Sequence, residues 1–358
     1  MSIDLRRAPI PADPVRTYYA FNAVLSFCTA LAFTLSPVYS VEVVRLDPFQ
    51  LVLVGTVMEA SCFLFEIPTG VIADLVSRRL SVLLGLLLMG TAFALLAALP
   101  VLAAVLAAQV VWGLGYTCIS GAADAWITDE IGADRMGPIF QREQQVHLGA
   151  TTAGIVAAGA LGVVSLRLPF LIAGATLVLL ALVLAVVLDE TGFAPQPKED
   201  RSTPAHVAHT VLAGLRLARR SRVVRGLLVI SLLGGAASEV FDRLWTVHVL
   251  DTWTLPPLLG SSDPALWFAG FALVGTLLAL VVSLLVGRGR MARLGTAHPG
   301  RVLAVLTTLR IGGVLAFAFG GPLWVALSGL WARTAVIAFA EPVEATWLNT
   351  RALSLIHI

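Results

Sequence analysis

Long apolar runs dominate the chain, and short polar segments separate them. Each run is about 20 residues or longer, the length that a helix needs to cross a hydrocarbon core of about 30 Å. We predict membrane-spanning helices over ten segments, at residues 17–43, 49–74, 80–99, 101–127, 143–165, 168–188, 223–250, 264–286, 301–319 and 322–347. The pattern therefore predicts an all-α polytopic membrane protein.

The composition agrees with a membrane protein and argues against a soluble enzyme. Hydrophobic residues make up 58% of the 358 residues and charged residues only 13%, whereas soluble domains are about 25% charged. The chain has neither a Gly-rich phosphate loop nor a His/Cys cluster at metal-ligand spacing. We therefore expect no enzymatic chemistry, no cofactor and no metal.

The basic residues predict the orientation of the helices. With a cytoplasmic N-terminus, 19 of the 24 Lys and Arg residues fall in cytoplasmic segments, and only Arg45 and Arg167 fall outside. Cytoplasmic loops are enriched in Lys and Arg, so we predict a multi-pass protein of the cell membrane with its N-terminus in the cytoplasm. The basic residues are topology signals beside lipid, and we expect no nucleic-acid partner.

A long polar segment divides the chain into two halves. We predict an N-terminal six-helix bundle at 1–188, a cytoplasmic linker at 189–222, and a C-terminal bundle at 223–358. Within the linker, residues 205–222 place apolar side chains on one side and arginines on the other, which predicts an amphipathic helix on the inner leaflet. A soluble regulatory helix is the alternative. Trp126 and Trp347 end corresponding spans of the two halves, which indicates an internal duplication.

A short basic turn lies between the second and third predicted helices. Gly70 is followed by Asp74 four residues later, by Ser77 three residues after that, and then by Arg78 and Arg79. This order resembles the signature loop between helices 2 and 3 of the major facilitator superfamily of transporters. The resemblance extends to the six spans, the long linker and the further spans after it.

The resemblance implies a fold of two bundles that alternately expose a central site to each side of the membrane. It implies a cytoplasmic latch in which Gly70 allows close helix approach, Asp74 caps or pairs across the bundle interface, and Arg78 and Arg79 hold the inner face. The family has twelve helices, so about ten of the twelve are present here. We expect a chain that is truncated at its C-terminus, with a natural ten-helix variant as the alternative.

One departure from the family pattern concerns the fourth span. Proton-coupled members commonly place an Arg in the pattern Arg-x-x-x-Gly, whereas this chain has Gln109 four residues before Gly113. The resemblance therefore leaves the coupling ion and the direction of transport open.

Charged residues within the spans are candidates for a substrate or proton site, because ionisable groups at membrane depth cost about 2.5–3.5 kcal/mol each. Glu59 and Glu66 share one face of the second span, being seven residues apart. In the seventh span, Glu239 and Arg243 are spaced to pair along the helix and Asp242 faces a neighbour. Arg333 lies near the midplane of the tenth span. For each residue, a structural ion pair between or within helices is the alternative.

Three acidic residues lie near the inner ends of the fourth and tenth spans. Asp124, Glu341 and Glu344 are predicted to form inner-gate pairs with the basic loops, with contact to the substrate as the alternative.

Together these features predict a secondary active transporter that moves a small organic solute across the cytoplasmic membrane by alternating access. Its partners are then the solute, membrane lipids and a coupling ion, for which we expect the proton. Few polar groups lie in the spans, which favours efflux. An uptake permease of the same fold and a non-transporting membrane receptor or scaffold are the alternatives.

Overall fold

The computed structural model describes residues 12–193, 222–261, 263–286 and 299–356. Within these ranges the chain is α-helical, with one short 3₁₀ turn at Ala133–Arg135 and no β-strand. The helices are α1 Pro14–Phe33, α2 Ser36–Glu42, α3 Pro48–Leu75, α4 Arg78–Ala98, α5 Leu102–Ile119, α6 Ala122–Ile131, α7 Met136–Gly162, α8 Leu168–Val187, α9 Arg222–Thr252, α10 Pro264–Val286, α11 Pro299–Phe319 and α12 Leu323–Ile356. The prediction of an all-α fold is confirmed, and each of the ten predicted spans contains helix.

Two of the predicted spans are divided into two helices each. The first breaks between α1 and α2, where Pro37 occupies the start of α2 and contributes no backbone N–H. The fourth breaks between α5 and α6, where Gly121 has a φ of +74°. Only glycine adopts this left-handed conformation without a steric cost, so a single residue redirects the chain inside an apolar run.

Eight helical segments of the described residues are long and apolar enough to cross a membrane. They are Pro14–Glu42, Pro48–Leu75, Arg78–Ala98, Leu102–Ile131, Leu168–Val187, Pro264–Leu285, Gly300–Phe319 and Leu323–Ala340. The two other predicted spans correspond to α7 and α9, which are helical but carry more polar and charged residues.

Helix α4 is the centre of the first bundle, and glycines bring it into backbone contact with two neighbours. A Cβ on Gly115 of α5 would lie 2.8 Å from the carbonyl oxygen of Gly85 in α4. A Cβ on Gly174 of α8 would lie 2.8 Å from the carbonyl oxygen of Gly90 in α4. Small residues allow this close packing where helices associate in a membrane.

By its internal contacts the chain forms two compact units. The first contains residues 1–250 and 257–266, and the second contains residues 251–256 and 267–358. Helix α9 thus groups largely with the first unit, and the predicted division at 1–188 and 223–358 stays a prediction. The amphipathic helix predicted at 205–222 lies outside the described residues, except for its last residue at the start of α9.

Candidate functional site

The basic turn after α3 is held by acidic residues from two other segments. The Arg78 guanidinium lies 2.6 Å from a carboxylate oxygen of Asp129 in α6, and it lies over the ring of Phe193. Asp74 is a weaker partner of Arg78, at 3.6 Å, with its side chain 48% exposed. Within the described residues, Asp74 therefore pairs inside the turn, and Asp129 joins the turn to α6.

The carboxylate of Glu190 caps the start of α4. Glu190 is 1% exposed and accepts hydrogen bonds from the backbone N–H groups of Arg78 and Arg79. Ser77 Oγ donates to Glu190 at 2.6 Å and accepts from Leu80 N at 3.0 Å. The first three N–H groups of α4 thus have side-chain acceptors, and the positive end of the helix faces a carboxylate. We call Arg78, Asp129 and Glu190 the latch cluster.

Arg79 and Gly70 differ in how they fit the role that the resemblance implies. Arg79 is buried, and its guanidinium donates to the carbonyl of Ala185 at the end of α8. Gly70 does not lie at a close helix contact among the described residues, since a Cβ there would meet no atom within 4 Å. The expected role of Gly70 in the latch therefore stays a prediction. The close approaches lie deeper, at Gly85 and Gly115.

Asp124 has a different partner from the one predicted. Its carboxylate accepts a hydrogen bond of 2.6 Å from the hydroxyl of Tyr18 in α1. Nearby on α7, Glu143 is buried and His147 Nδ1 lies 2.8 Å from Ser26 Oγ of α1. These contacts tie α1 to α6 and α7, whereas the basic turn takes Asp129 instead of Asp124.

The other end of the first unit contains a cavity of about 370 Å³, which we call the first-unit cavity. Its polar lining residues are Thr29, Ser36, Ser40, Gln109 and Arg243. Its apolar lining residues are Phe33, Pro37, Leu51, Val54, Met58 and Trp112. The volume lies within the range of about 300–1,000 Å³ for small-molecule sites, which are mostly apolar with a few polar groups.

Arg243 is the charged residue of the first-unit cavity wall, and it forms an ion pair with Glu239 within α9. Arg243 Nε lies 2.7 Å from Glu239 Oε1, with both side chains about a quarter exposed (22% and 25%). Gly55 of α3 makes room for this pair, because a Cβ there would overlap the two side chains. The predicted pairing of Glu239 with Arg243 is present, and it packs directly against α3. Asp242 is exposed on the same helix.

Glu59 and Glu66 lie on an exposed face of α3 within the first unit. Glu66 accepts a hydrogen bond of 3.3 Å from Ser120. No Lys or Arg of the described residues forms an ion pair with either glutamate. Carboxylates at membrane depth are costly against lipid, so this face is suited to contact with water, solute or another helix.

The remaining predicted residues belong to the second unit. Arg333 is 6% exposed, and its backbone packs against Gly313 where α11 and α12 cross. Glu341 and Glu344 lie in α12, but their side chains fall outside the described part of the structure. The structure thus brings together Glu239 and Arg243 at the cavity, and Arg78 with Asp74 at the turn.

Sequence reasoning missed three contributors to these sites. Asp129 and Glu190 of the latch cluster carried no motif that distinguishes them from other acidic residues at helix ends. Gln109 was noted only because it replaces the family's arginine. Its place in the cavity wall depends on how five helices pack.

Comparisons with known proteins agree with the membrane fold. A sequence profile described as Major Facilitator Superfamily matches residues 19–353. The uncharacterized MFS-type transporter YxaM of Bacillus subtilis (strain 168) is 22% identical over 276 residues. That alignment covers 75% of this chain and 65% of YxaM, so the chain spans just under two thirds of that relative.

Solved transporter structures share the fold at low identity. The nucleoside transporter NupG superposes with a TM-score of 0.71 at 13% identity, covering 92% of this chain and 80% of NupG. The xylose transporter XylE from E. coli, in a partially occluded inward open conformation, superposes with a TM-score of 0.59 at 13% identity. That alignment covers 96% of this chain and 88% of XylE. At such identities the likeness shows the fold alone.

Proposed function

Because the chain belongs to the Major Facilitator Superfamily, we propose that it is a secondary active transporter that exports a small organic solute in exchange for protons. The observation that carries this proposal is the Glu239–Arg243 ion pair, of which Arg243 lines the first-unit cavity. It places a titratable carboxylate and a fixed positive charge beside a space of the size that holds a small molecule.

The ion pair supplies a physical link between a proton and a solute. While Glu239 is ionised, it compensates the charge of Arg243, and the cavity wall is close to neutral. When Glu239 takes a proton, Arg243 is left without its counter-charge, and an uncompensated charge of this kind demands water. The cavity then favours water over an apolar solute. Proton and solute therefore bind in alternation, which is the requirement for exchange.

The lining of the first-unit cavity supports efflux. Six of its eleven lining residues are apolar or aromatic, and one is charged. Such a lining matches a solute that combines an apolar surface with a few polar groups. The cavity and the glutamates on α3, which have no ion-pair partner among the described residues, also favour transport over the scaffold alternative, which needs no cavity and no unpaired charge at membrane depth.

We place the protein in the cell membrane with a cytoplasmic N-terminus. The support is the distribution of Lys and Arg, of which 19 fall in segments on the N-terminal side of the membrane and two on the other. In this orientation the latch cluster faces the cytoplasm and the first-unit cavity lies in the outer half.

Vesicle transport tests the proposal and its direction together. Inverted vesicles with an acidic interior should accumulate at least one of three radiolabelled probes, uridine, benzoate or tetraphenylphosphonium, and a protonophore should abolish the accumulation. Right-side-out vesicles with an acidic exterior should not accumulate it. Accumulation only in the right-side-out vesicles would establish uptake, and flux unaffected by the protonophore would exclude proton coupling.

A matched pair of variants tests the coupling residue. Glu239→Gln removes the carboxylate and should reduce gradient-driven accumulation to the level of vesicles without the protein. Glu42→Gln makes the same change at an exposed position at the end of α2 and should transport like the unchanged protein. Equal transport by both variants would remove Glu239 from the coupling mechanism.

A further inference from the structure

Three polar groups in the wall of the first-unit cavity have no hydrogen-bond partner in the described part of the chain. Gln109 is 4% exposed and Ser40 is 7% exposed, and neither side chain forms a hydrogen bond there. The Nε1 of Trp112 is likewise buried without a partner. Gln109 and Ser40 line the cavity, so their side chains are available to a ligand there, and a buried polar atom such as Trp112 Nε1 costs about 1–3 kcal/mol when it has no partner.

The chemistry of these groups defines what they can bind. The Gln109 amide offers one acceptor and two donors, the Trp112 indole offers a donor, and the Ser40 hydroxyl offers both. The charged pair Arg243–Glu239 is already internally compensated at 2.7 Å. The unsatisfied groups therefore match a neutral solute that carries donors and acceptors, and they provide no free charge for an ion.

Two aromatic residues belong to the same wall. Phe33 and Trp112 meet edge to face with centroids 5.1 Å apart, and both line the cavity. Trp112 is held in turn by stacking on Tyr116 at 5.2 Å. Aromatic side chains interact favourably with planar rings, so this wall suits a planar solute.

We propose that the first-unit cavity binds a neutral, planar heteroaromatic solute with an amide-like edge, and that Gln109 determines this specificity. The donor and acceptor of the Gln109 amide pair with the donor and acceptor of the solute edge, in the way that glutamine side chains pair with base edges. The proposal rests on the transport function above, because it names the class of solute for the same cavity.

Binding to the purified full chain tests the proposal without any transport. Equilibrium dialysis should show saturable binding of uridine, and binding of benzoate and tetraphenylphosphonium at least about tenfold weaker. Tighter binding of benzoate or tetraphenylphosphonium than of uridine would overturn the neutral class. Absence of proton-driven flux with uridine binding intact would refute the transport mechanism alone.

Variants of Gln109 test its role. Gln109→Leu should weaken uridine binding about tenfold, the effect of losing one buried hydrogen bond or more, and should leave the thermal unfolding midpoint equal or higher because an unpaired buried amide is removed. Gln141→Leu makes the same change on an exposed part of α7 and should bind uridine normally. Unchanged uridine binding by Gln109→Leu would overturn the proposal, since the unfolding midpoint shows independently that the variant is folded.

Discussion

Replacing Glu190 by alanine tests the latch cluster most directly. The change removes the carboxylate that accepts from the backbone N–H groups of Arg78 and Arg79 and from the hydroxyl of Ser77. The two N–H groups are at the first turn of α4 and have no acceptor within their own helix. Glu190 is 1% exposed, so water does not readily replace it.

The size of the effect follows from these contacts. A hydrogen bond to a charged group contributes about 1.5–3 kcal/mol. Counting only the two backbone N–H groups at the lower figure gives a loss of about 3 kcal/mol. This corresponds to a fall of about 6–12 °C in the unfolding midpoint, at about 2–4 °C per kcal/mol for a large domain.

Hydrogen–deuterium exchange of the full chain in detergent locates the effect. In Glu190→Ala, the amides at the start of α4 should exchange about a hundredfold faster, as about 3 kcal/mol of protection is lost. Glu130→Ala is the matched control. Glu130 also accepts two hydrogen bonds, from Thr191 and Gly192, but at an exposed position, so the start of α4 should remain protected. Unchanged exchange and an unfolding midpoint within about 1 °C of the unchanged protein would refute the capping role of Glu190.

Two other substitutions have definite expected outcomes. Gly115→Ala puts a Cβ 2.8 Å from the backbone of α4 and should cost about 1–3 kcal/mol. Gly70→Ala, with no atom within 4 Å, should unfold at the same or a higher temperature, and equal midpoints for both variants would contradict the packing. Arg333→Ala should abolish solute flux, because Arg333 is 6% exposed in the second unit and a charged residue at membrane depth is costly unless it serves a function. Arg333→Lys keeps the charge and should retain part of the flux. Full flux by Arg333→Ala would show that Arg333 contributes only to packing.

The helices could be predicted from sequence because the membrane imposes a simple requirement. A span needs an apolar run of fixed length, and in lipid a single-chain segment satisfies its backbone groups by forming a helix. The ion pair between Glu239 and Arg243 could also be predicted, because their i,i+4 spacing depends only on the helix that contains both residues. The helix break at Gly121 could not be predicted from the sequence, because glycine also occurs within continuous helices of this chain, as Gly70 does in α3.

The partners between helices could not be predicted from single segments. Glu190 caps α4, and the two residues whose N–H groups it accepts from, Arg78 and Arg79, precede it by 112 and 111 residues. The position of the capping carboxylate depends on how α8 packs on α4. Asp124 and Asp129 are both acidic residues on α6, and only the packing assigns one to Tyr18 and the other to Arg78. The first-unit cavity is likewise a property of five helices together, so no local pattern marks Gln109 as part of its wall.

The glycine contacts of α4 restrict how the first unit can move. Sliding of one helix along another requires side chains that change rotamer while the backbones stay apart. Gly85 with Gly115 and Gly90 with Gly174 bring the backbones themselves together, so a shift at these crossings cannot be absorbed by side-chain rotamers alone. We therefore expect helices α4, α5 and α8 to move together in a transport cycle, with angular changes at their ends and at the Gly121 break.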